Sequence, residues 1–169
     1  MLLMLAPLSL LLASGKARGM ARANSCCQAV AHADCWGFTP GRDATASIQA
    51  AIDCPLAHTV VVKDMGAPWV VAPPPLHLPV YENNSATYIC RAAINFTRSN
   101  QLVIFQPGVV VEAKRWAFHG FKDSLAHIGS EWGAVRNLTV RGEGATWRMW
   151  KQDCEHVFSV ALLSLTSDT

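Results

Sequence analysis

Four charged residues near the carboxyl end of the chain have the types and the spacing for acid–base chemistry on a charged substrate. They are Arg148, Lys151, Asp153 and Glu155. Because side chains alternate along a strand, Asp153 and Glu155 would present both carboxyl groups on one face, beside cations that bind carboxylates. Isolated acidic residues are usually solvated at the surface. We therefore expect these residues to lie at a solvated corner before the next strand, and catalysis by them is the alternative hypothesis.

Two tryptophans stand beside Arg148 and are candidates for stacking on sugar rings. Alternation from Ala145 places Trp147 on one face of a strand, and Arg148 and Trp150 on the other. At least one of the two indoles is then expected in the core, because tryptophan buries a large apolar area.

A second group of titratable residues consists of His119, Asp123 and His127, which together suggest an acid–base relay. The group contains a single acid, and its members fall in separate predicted loops. Packed or exposed histidines are the interpretation that we favour.

The cysteines are expected to form disulfides and not a metal site. They are Cys26, Cys27, Cys35, Cys54, Cys90 and Cys154. An even number of cysteines is typical of proteins from oxidising compartments. The alternative is zinc bound by the first three with His32, but their spacing does not match that of common zinc sites. The pairing is open, although the neighbours Cys26 and Cys27 are expected to bond to different partners.

An apolar stretch at residues 2–13 and a small-x-small motif at residues 21–23 predict a signal peptide over residues 1–23. Crossing a bilayer needs about 20 apolar residues. We therefore expect secretion, with no membrane span in the mature chain. No Lys or Arg precedes the apolar stretch, which leaves a buried or anchoring segment as the alternative.

The composition is typical of one folded domain, with 169 residues of which 51% are hydrophobic and 15% charged. The formal net charge is +2, but three of the 14 basic residues lie in the predicted leader. The mature chain then has 11 basic and 12 acidic residues and a net charge of −1. No basic run interleaved with aromatic residues is present, so nucleic acid is not an expected partner.

Three sequons for N-linked glycosylation begin at Asn83, Asn95 and Asn137. The first two lie in residues 73–95, a proline-led polar stretch that also contains Cys90 and that we expect to be a surface insertion. A glycan on Asn137 would project from the outer face of a strand and would block a substrate groove on that face.

Short apolar and β-branched runs recur along the second half of the chain. Residues 102–105 and 109–111 flank a Pro107-Gly108 corner, residues 137–149 repeat the strand–glycine–strand pattern, and residues 157–165 form a further run. Recurrence at this spacing predicts short parallel strands that stack on one another.

Upstream of these strands, residues 43–53 predict a helix with an apolar side. Ile48, Ala51 and Ile52 form that side, and Asp43 or Thr45 is the expected amino-terminal cap. A stacked array exposes an apolar layer and unpaired strand edges at its first layer, and a helix laid over that end would hide both. A partner-binding or membrane-facing helix is the alternative.

Three sequence blocks together resemble the amino-terminal part of right-handed parallel β-helix proteins, the pectin-lyase-like group. The blocks are DATASIQAAIDC at residues 43–54, SNQLVIFQPGVVVEA at residues 99–113 and GEGATWRM at residues 142–149. The resemblance covers about residues 43–153 and implies a mainly β fold, a right-handed parallel β-helix (solenoid) fragment with an amino-terminal capping helix. Residues 24–42 would form a cysteine-containing amino-terminal segment, and residues 43–169 the β-helix coils.

For function, the resemblance implies a polysaccharide or glycan substrate. A lyase on this scaffold needs a base and often calcium held by several acids, whereas a glycoside hydrolase needs two carboxyl groups across the bond. Calcium is expected only if the chain is a lyase with further coils, and the cofactor requirement is otherwise unknown. A non-catalytic extracellular module that binds glycans or has a structural role is the alternative.

The number of coils bears on activity. About three coils are expected before residue 169, close to the minimum for a stable repeat array. The resemblance also implies that catalytic groups lie on later coils. We therefore expect a truncated product or a fragment that lacks most of the active groove.

Overall fold

The computed structural model describes residues 25–75, 91–118, 123–129 and 134–150. Within these residues the chain is mainly β, with nine short strands, the α-helix α1 (Thr45–Asp53) and a 3-10 helix (Ala33–Trp36). The strands are β1 (Val30–His32), β2 (Thr59–Val62), β3 (Trp69–Val71), β4 (Ala92–Phe96), β5 (Gln101–Phe105), β6 (Val110–Ala113), β7 (Ser124–Ile128), β8 (Leu138–Arg141) and β9 (Thr146–Arg148).

The strands form three sheets, here called the first, second and third sheet. Their strand orders are β1-β2-β5-β8, β3-β6-β9 and β4-β7. Every pair of described strands is parallel. From β2 onward the chain enters the three sheets in turn and then returns to the first, so each strand pairs with the strand three places later. Parallel neighbours need a long connection between them, and here the chain makes that connection by passing through the other two sheets.

Apolar side chains line up across the paired strands of the first sheet. Val60 of β2 pairs with Val103 of β5, which pairs with Val140 of β8. Along β5 the side chains alternate between buried and half-buried, as expected for a strand with one face on the core. Phe105, at the end of β5, is almost fully buried. The sequence pattern around residues 102–105 thus predicted the strand.

Helix α1 lies over the end of the sheets and contacts β1, β2, β3 and β4. Its buried residues are the three predicted, Ile48, Ala51 and Ile52. The helix begins at Thr45, two residues after the predicted start, because the backbone of Asp43 forms a parallel bridge with Val70 of β3. The Asp43 carboxylate still accepts a hydrogen bond from the Thr45 N–H at 3.0 Å.

The edge facing α1 is occupied in all three sheets. In the first sheet β1 pairs with β2. In the second sheet the Ala44 N–H donates to the Val70 carbonyl at 2.8 Å. In the third sheet the side-chain amide of Gln49 bonds both backbone groups of Asn95 in β4. Because unpaired edges recruit other strands, these contacts protect this end of the sheets from association through its edges.

Two disulfides tie the amino-terminal segment to itself and to the end of α1. Cys26 is bonded to Cys35, and Cys27 to Cys54, with Cα–Cα distances of 5.6 and 5.4 Å. The adjacent cysteines thus have different partners, as predicted, and the sulfurs of the alternative zinc site are used in disulfides. Cys90 and Cys154 lie outside the described residues.

The third sheet differs most from expectation. The predicted insertion at residues 73–95 overlaps β4, which begins at Ala92 and is largely buried. The intervening residues 76–90, the predicted leader and the apolar run at residues 157–165 lie outside the described part of the chain. Among the residues that are described, no helix is long and apolar enough to cross a membrane.

Candidate functional site

Of the four charged candidates near the carboxyl end, Arg148 is the one that the described residues include. It ends β9, and its Nη1 lies 3.2 Å from Oε2 of Glu112 in β6. The side chains of Arg148 and Glu112 are 49% and 17% exposed. Lys151, Asp153 and Glu155 lie outside the described residues. The structure therefore brings Arg148 together with an acid that the sequence analysis did not single out.

Strand register explains this contact. Val111 of β6 pairs with Trp69 and Trp147, which places these three side chains in one row across the second sheet. The next position along each strand points the opposite way, so Val70, Glu112 and Arg148 form the neighbouring row. Because Trp69 and Val111 are fully buried, the row with Glu112 and Arg148 is on the outer face of the second sheet.

A second ion pair lies next to this row. Lys114, which follows β6, places its Nζ 3.7 Å from Oδ2 of Asp43, and Asp43 is bridged to Val70. Both ion pairs are partly exposed, so each contributes less than about 1 kcal/mol to folding. Their main effect is to hold carboxylates and cations in a fixed order along the outer face.

Trp150 lies two residues beyond the end of β9, where it is half-buried and packs partly against the hydrophobic core. The Trp150 indole N–H donates to the Ala113 carbonyl at 2.7 Å, and the guanidinium carbon of Arg115 lies 3.9 Å from the centre of the Trp150 ring. A cation over an indole face is an attractive arrangement. Trp150 thus contributes a hydrogen bond that a continuing strand would otherwise make to β6.

Trp147 has the second role that was predicted for the two tryptophans, which is packing against the core. It is half-buried, and its ring lies edge-on to Phe105 of the first sheet with the ring centres 4.9 Å apart. Phe105 belongs to the buried core. Both tryptophans pack partly against the core, which confirms the expectation that at least one of them does.

The candidate site is the outer face of the second sheet. It consists of Asp43, Glu112, Lys114, Arg115, Arg148 and Trp150. Guanidinium groups bind carboxylates with directional hydrogen bonds, and an indole offers a flat apolar surface for a ring. The described residues contain no group of three or more His, Cys, Asp or Glu side chains placed to hold a metal ion.

Asp123, the acid of the predicted relay, forms a buried ion pair with Arg91. Arg91 donates from Nε to Oδ1 of Asp123 at 2.8 Å and from Nη2 to Oδ2, and its Nη1 donates to the Pro74 carbonyl at 2.8 Å. The two side chains of the pair are 7% and 1% exposed. His127 is exposed on β7, and His119 lies outside the described residues. The described contacts of Asp123 are therefore those of a buried ion pair, and the relay stays a prediction.

Two of the three sequons fall in the described residues. Asn137 is exposed immediately before β8, and its side-chain amide donates to Oδ1 of Asn100 at 3.1 Å. It therefore lies at the first sheet, away from the outer face of the second. Asn95 is half-buried in β4, where Gln49 holds its backbone. Asn83 is outside the described part.

Comparisons with known proteins add no assignment. No protein-family model matches the chain, and neither does any curated protein or solved structure. The site has to be interpreted from its own geometry.

Proposed function

We propose that this chain is a secreted parallel β-helix protein, related to polysaccharide-processing enzymes of the pectin-lyase-like group, that binds acidic polysaccharide on its outer face. The proposal for the fold is supported by the order in which the chain enters the three parallel sheets. The edge contacts of β1, Ala44 and Gln49 support the capping role of the amino-terminal region.

Secretion is supported by two features. The two disulfides fit an oxidising compartment, in which such bonds form and persist. The apolar stretch at residues 2–13 with its small-x-small motif fits a cleaved leader.

The observation that carries the binding proposal is the arrangement of Arg148, Arg115 and Trp150. The Arg148 side chain is 49% exposed, so part of its guanidinium is open to solvent beside Glu112. In the proposed complex, a uronate carboxylate of the polymer binds this guanidinium beside Glu112 or in its place. Arg115, which lies over the ring of Trp150, provides a further exposed cation after β6. A linear anionic sugar polymer matches a face on which these groups follow one another across adjacent strands.

Both acids on the outer face are in ion pairs, which favours a binding module over an enzyme. Glu112 is paired with Arg148, and Asp43 with Lys114. An inverting or retaining hydrolase needs two carboxyl groups on either side of the sugar bond, one of them protonated. A lyase or hydrolase remains the second candidate, with its reacting groups on coils beyond the described residues.

The binding test compares the disulfide-bonded wild-type chain with Arg148→Gln. Affinity for polygalacturonate is measured by calorimetry, with dextran as the uncharged control polymer. We expect binding to polygalacturonate alone and a loss of about tenfold in Arg148→Gln, because a charge-assisted hydrogen bond is removed. Arg141→Gln is the matched control, since Arg141 is an exposed cation on β8 of the first sheet. Equal losses in both variants, or no binding by the wild type, would contradict the proposal.

Catalysis is tested on the same samples. New reducing ends without ultraviolet absorbance indicate a hydrolase, and unsaturated products that absorb in the ultraviolet indicate a lyase. Binding without either product supports the non-catalytic module.

A further inference from the structure

Two asparagines of the first sheet, Asn100 and Asn137, immediately precede the neighbouring strands β5 and β8. Both have a positive φ, 57° and 52°, which asparagine adopts more readily than most residues. The Asn137 Nδ2 donates to Oδ1 of Asn100 at 3.1 Å, and the Asn137 carbonyl accepts from the Gln101 N–H at 3.2 Å. Asn137 is therefore held through both its side chain and its backbone.

Asn137 is exposed even though it is held, and so is Thr139, the third residue of its sequon. A side-chain amide has two N–H groups on one nitrogen. The contact with Asn100 uses one of them, and within the described residues no protein group accepts from the other. The second N–H is therefore open to chemistry while the first remains in the pair.

Asn95 begins a sequon of the same threonine type but lies in a different environment. It is half-buried inside β4, Phe96 of the same sequon is fully buried, and the Gln49 side chain bonds both backbone groups of Asn95. Strand β4 is paired with β7 and also contacts α1. A glycan is bulky and has to remain in solvent. A glycan on Asn95 would therefore conflict with the packing of β4.

We propose that Asn137 carries an N-linked glycan and that Asn95 does not. The inference rests on the secretion part of the proposed function and adds a covalent modification at the first sheet. The co-substrate is an oligosaccharide carried on a lipid pyrophosphate. Nδ2 of Asn137 forms a bond to C1 of the first sugar and gives one proton to a base of the transferring enzyme, while the bond from C1 to the lipid pyrophosphate breaks and that group leaves.

The pair with Asn100 is compatible with this modification. A glycosylated side-chain amide keeps one N–H, which is the number that the contact with Asn100 needs. The position also leaves the outer face open, because Asn137 adjoins β8 of the first sheet and the outer face belongs to β3, β6 and β9.

The test uses the full chain, made through the secretory pathway of a eukaryotic cell with its own leader or behind an unrelated cleavable leader. Mass spectrometry analyses the peptides with Asn95 and Asn137 after enzymatic release of N-glycans in heavy-oxygen water, which marks each former glycan site as a labelled aspartate. Thr139→Ala removes the sequon of Asn137 and keeps the asparagine. Thr97→Ala is the matched control, since Thr97 is an exposed threonine in the sequon of Asn95.

We expect the label on Asn137 and not on Asn95 of the secreted, folded chain. Thr139→Ala loses the mass shift of the Asn137 glycan, and Thr97→Ala keeps it. Asn100→Ala lowers the urea midpoint of unfolding equally in the glycosylated chain and in the Thr139→Ala chain, because the hydrogen bond from Asn137 is present in both.

Three results would overturn the inference. An unmodified Asn137 in the chain secreted behind either leader would remove the acceptor site. A labelled Asn95 in the folded protein would show that β4 accommodates a sugar. An effect of Asn100→Ala that is confined to the Thr139→Ala chain would mean that the glycan breaks the pair.

Two other results separate this inference from the proposed function. A glycan on Asn137 that appears only behind the unrelated leader would contradict secretion through residues 1–23 and would support the acceptor site. A glycosylated chain that does not bind polygalacturonate would contradict the binding function and would likewise support the modification.

Discussion

The side-chain amide of Gln49 holds both backbone groups of Asn95. Its Nε2 donates to the Asn95 carbonyl at 3.0 Å, and its Oε1 accepts from the Asn95 N–H at 2.9 Å. A neighbouring parallel strand would use the same two groups of β4. A single side chain of α1 therefore takes the place of a strand at the edge of the third sheet.

Replacing Gln49 by alanine is expected to lower the free energy of unfolding by about 2 kcal/mol, because the two backbone groups of the half-buried Asn95 lose their partner. Urea unfolding measures the change. Gln106→Ala is the matched control, since Gln106 is exposed in the turn after β5 and its change is expected to be within about 0.5 kcal/mol. Equal stability of Gln49→Ala and the wild type would mean that α1 holds this end without the amide contacts.

The two disulfides are expected to differ in their effect on stability. Cys27–Cys54 spans 27 residues and Cys26–Cys35 spans nine. Loop-closure entropy predicts a loss of about 3 to 4 kcal/mol for Cys27→Ser with Cys54→Ser, and about 2 to 3 kcal/mol for the shorter pair. Unfolding of the two double variants under one denaturant series checks this order. A larger loss for the shorter pair would show that packing around Cys35 outweighs chain entropy.

Asp123→Asn is expected to destabilise the protein by about 3 to 5 kcal/mol, because it leaves the Arg91 guanidinium buried without its charged partner. Replacing both residues, Arg91→Met with Asp123→Leu, is expected to cost less than the single change. Thermal unfolding with a double-mutant cycle measures the coupling. His127→Gln, on exposed β7, is the control for a relay and leaves stability within about 0.5 kcal/mol of the wild type. A mild effect of Asp123→Asn would contradict the structural role of the pair.

Glu112→Gln is expected to raise the affinity for polygalacturonate about threefold, because it removes the carboxylate that competes with the polymer for Arg148. Calorimetry at low salt gives the change. Asp34→Asn is the matched control, since Asp34 pairs with Lys63 and has no contact with the outer face in the described residues. Weaker binding by Glu112→Gln would instead mean that Glu112 itself contacts the sugar.

Periodicity predicted the local elements well. The apolar spacing of Ile48, Ala51 and Ile52 gave the buried side of α1, and the runs around Pro107-Gly108 gave β5 and β6. These features depend on neighbours along the chain. The start of α1 was wrong by two residues because Asp43 is used by a strand far along the sequence, β3.

The candidate site was predictable only in part. Arg148 was singled out from its neighbours in sequence, but Glu112 becomes its partner only through the register of β6 and β9. The positive φ of Trp116, 59° in the turn after β6, is a property of the backbone, and no residue pattern around it signals such a conformation. The residue type that such a turn favours, glycine, is absent there, which is why the turn was not recognised.

The position of the two disulfides in the chain has a consequence for biosynthesis. The four cysteines of the described disulfides, Cys26, Cys27, Cys35 and Cys54, precede β2. Because a chain is made from its amino end, the segment that the disulfides close, with α1, is synthesised before β2, β3 and β4. Each later strand can then pair with a part of the protein that was made earlier, which shortens the time that apolar segments are exposed during synthesis.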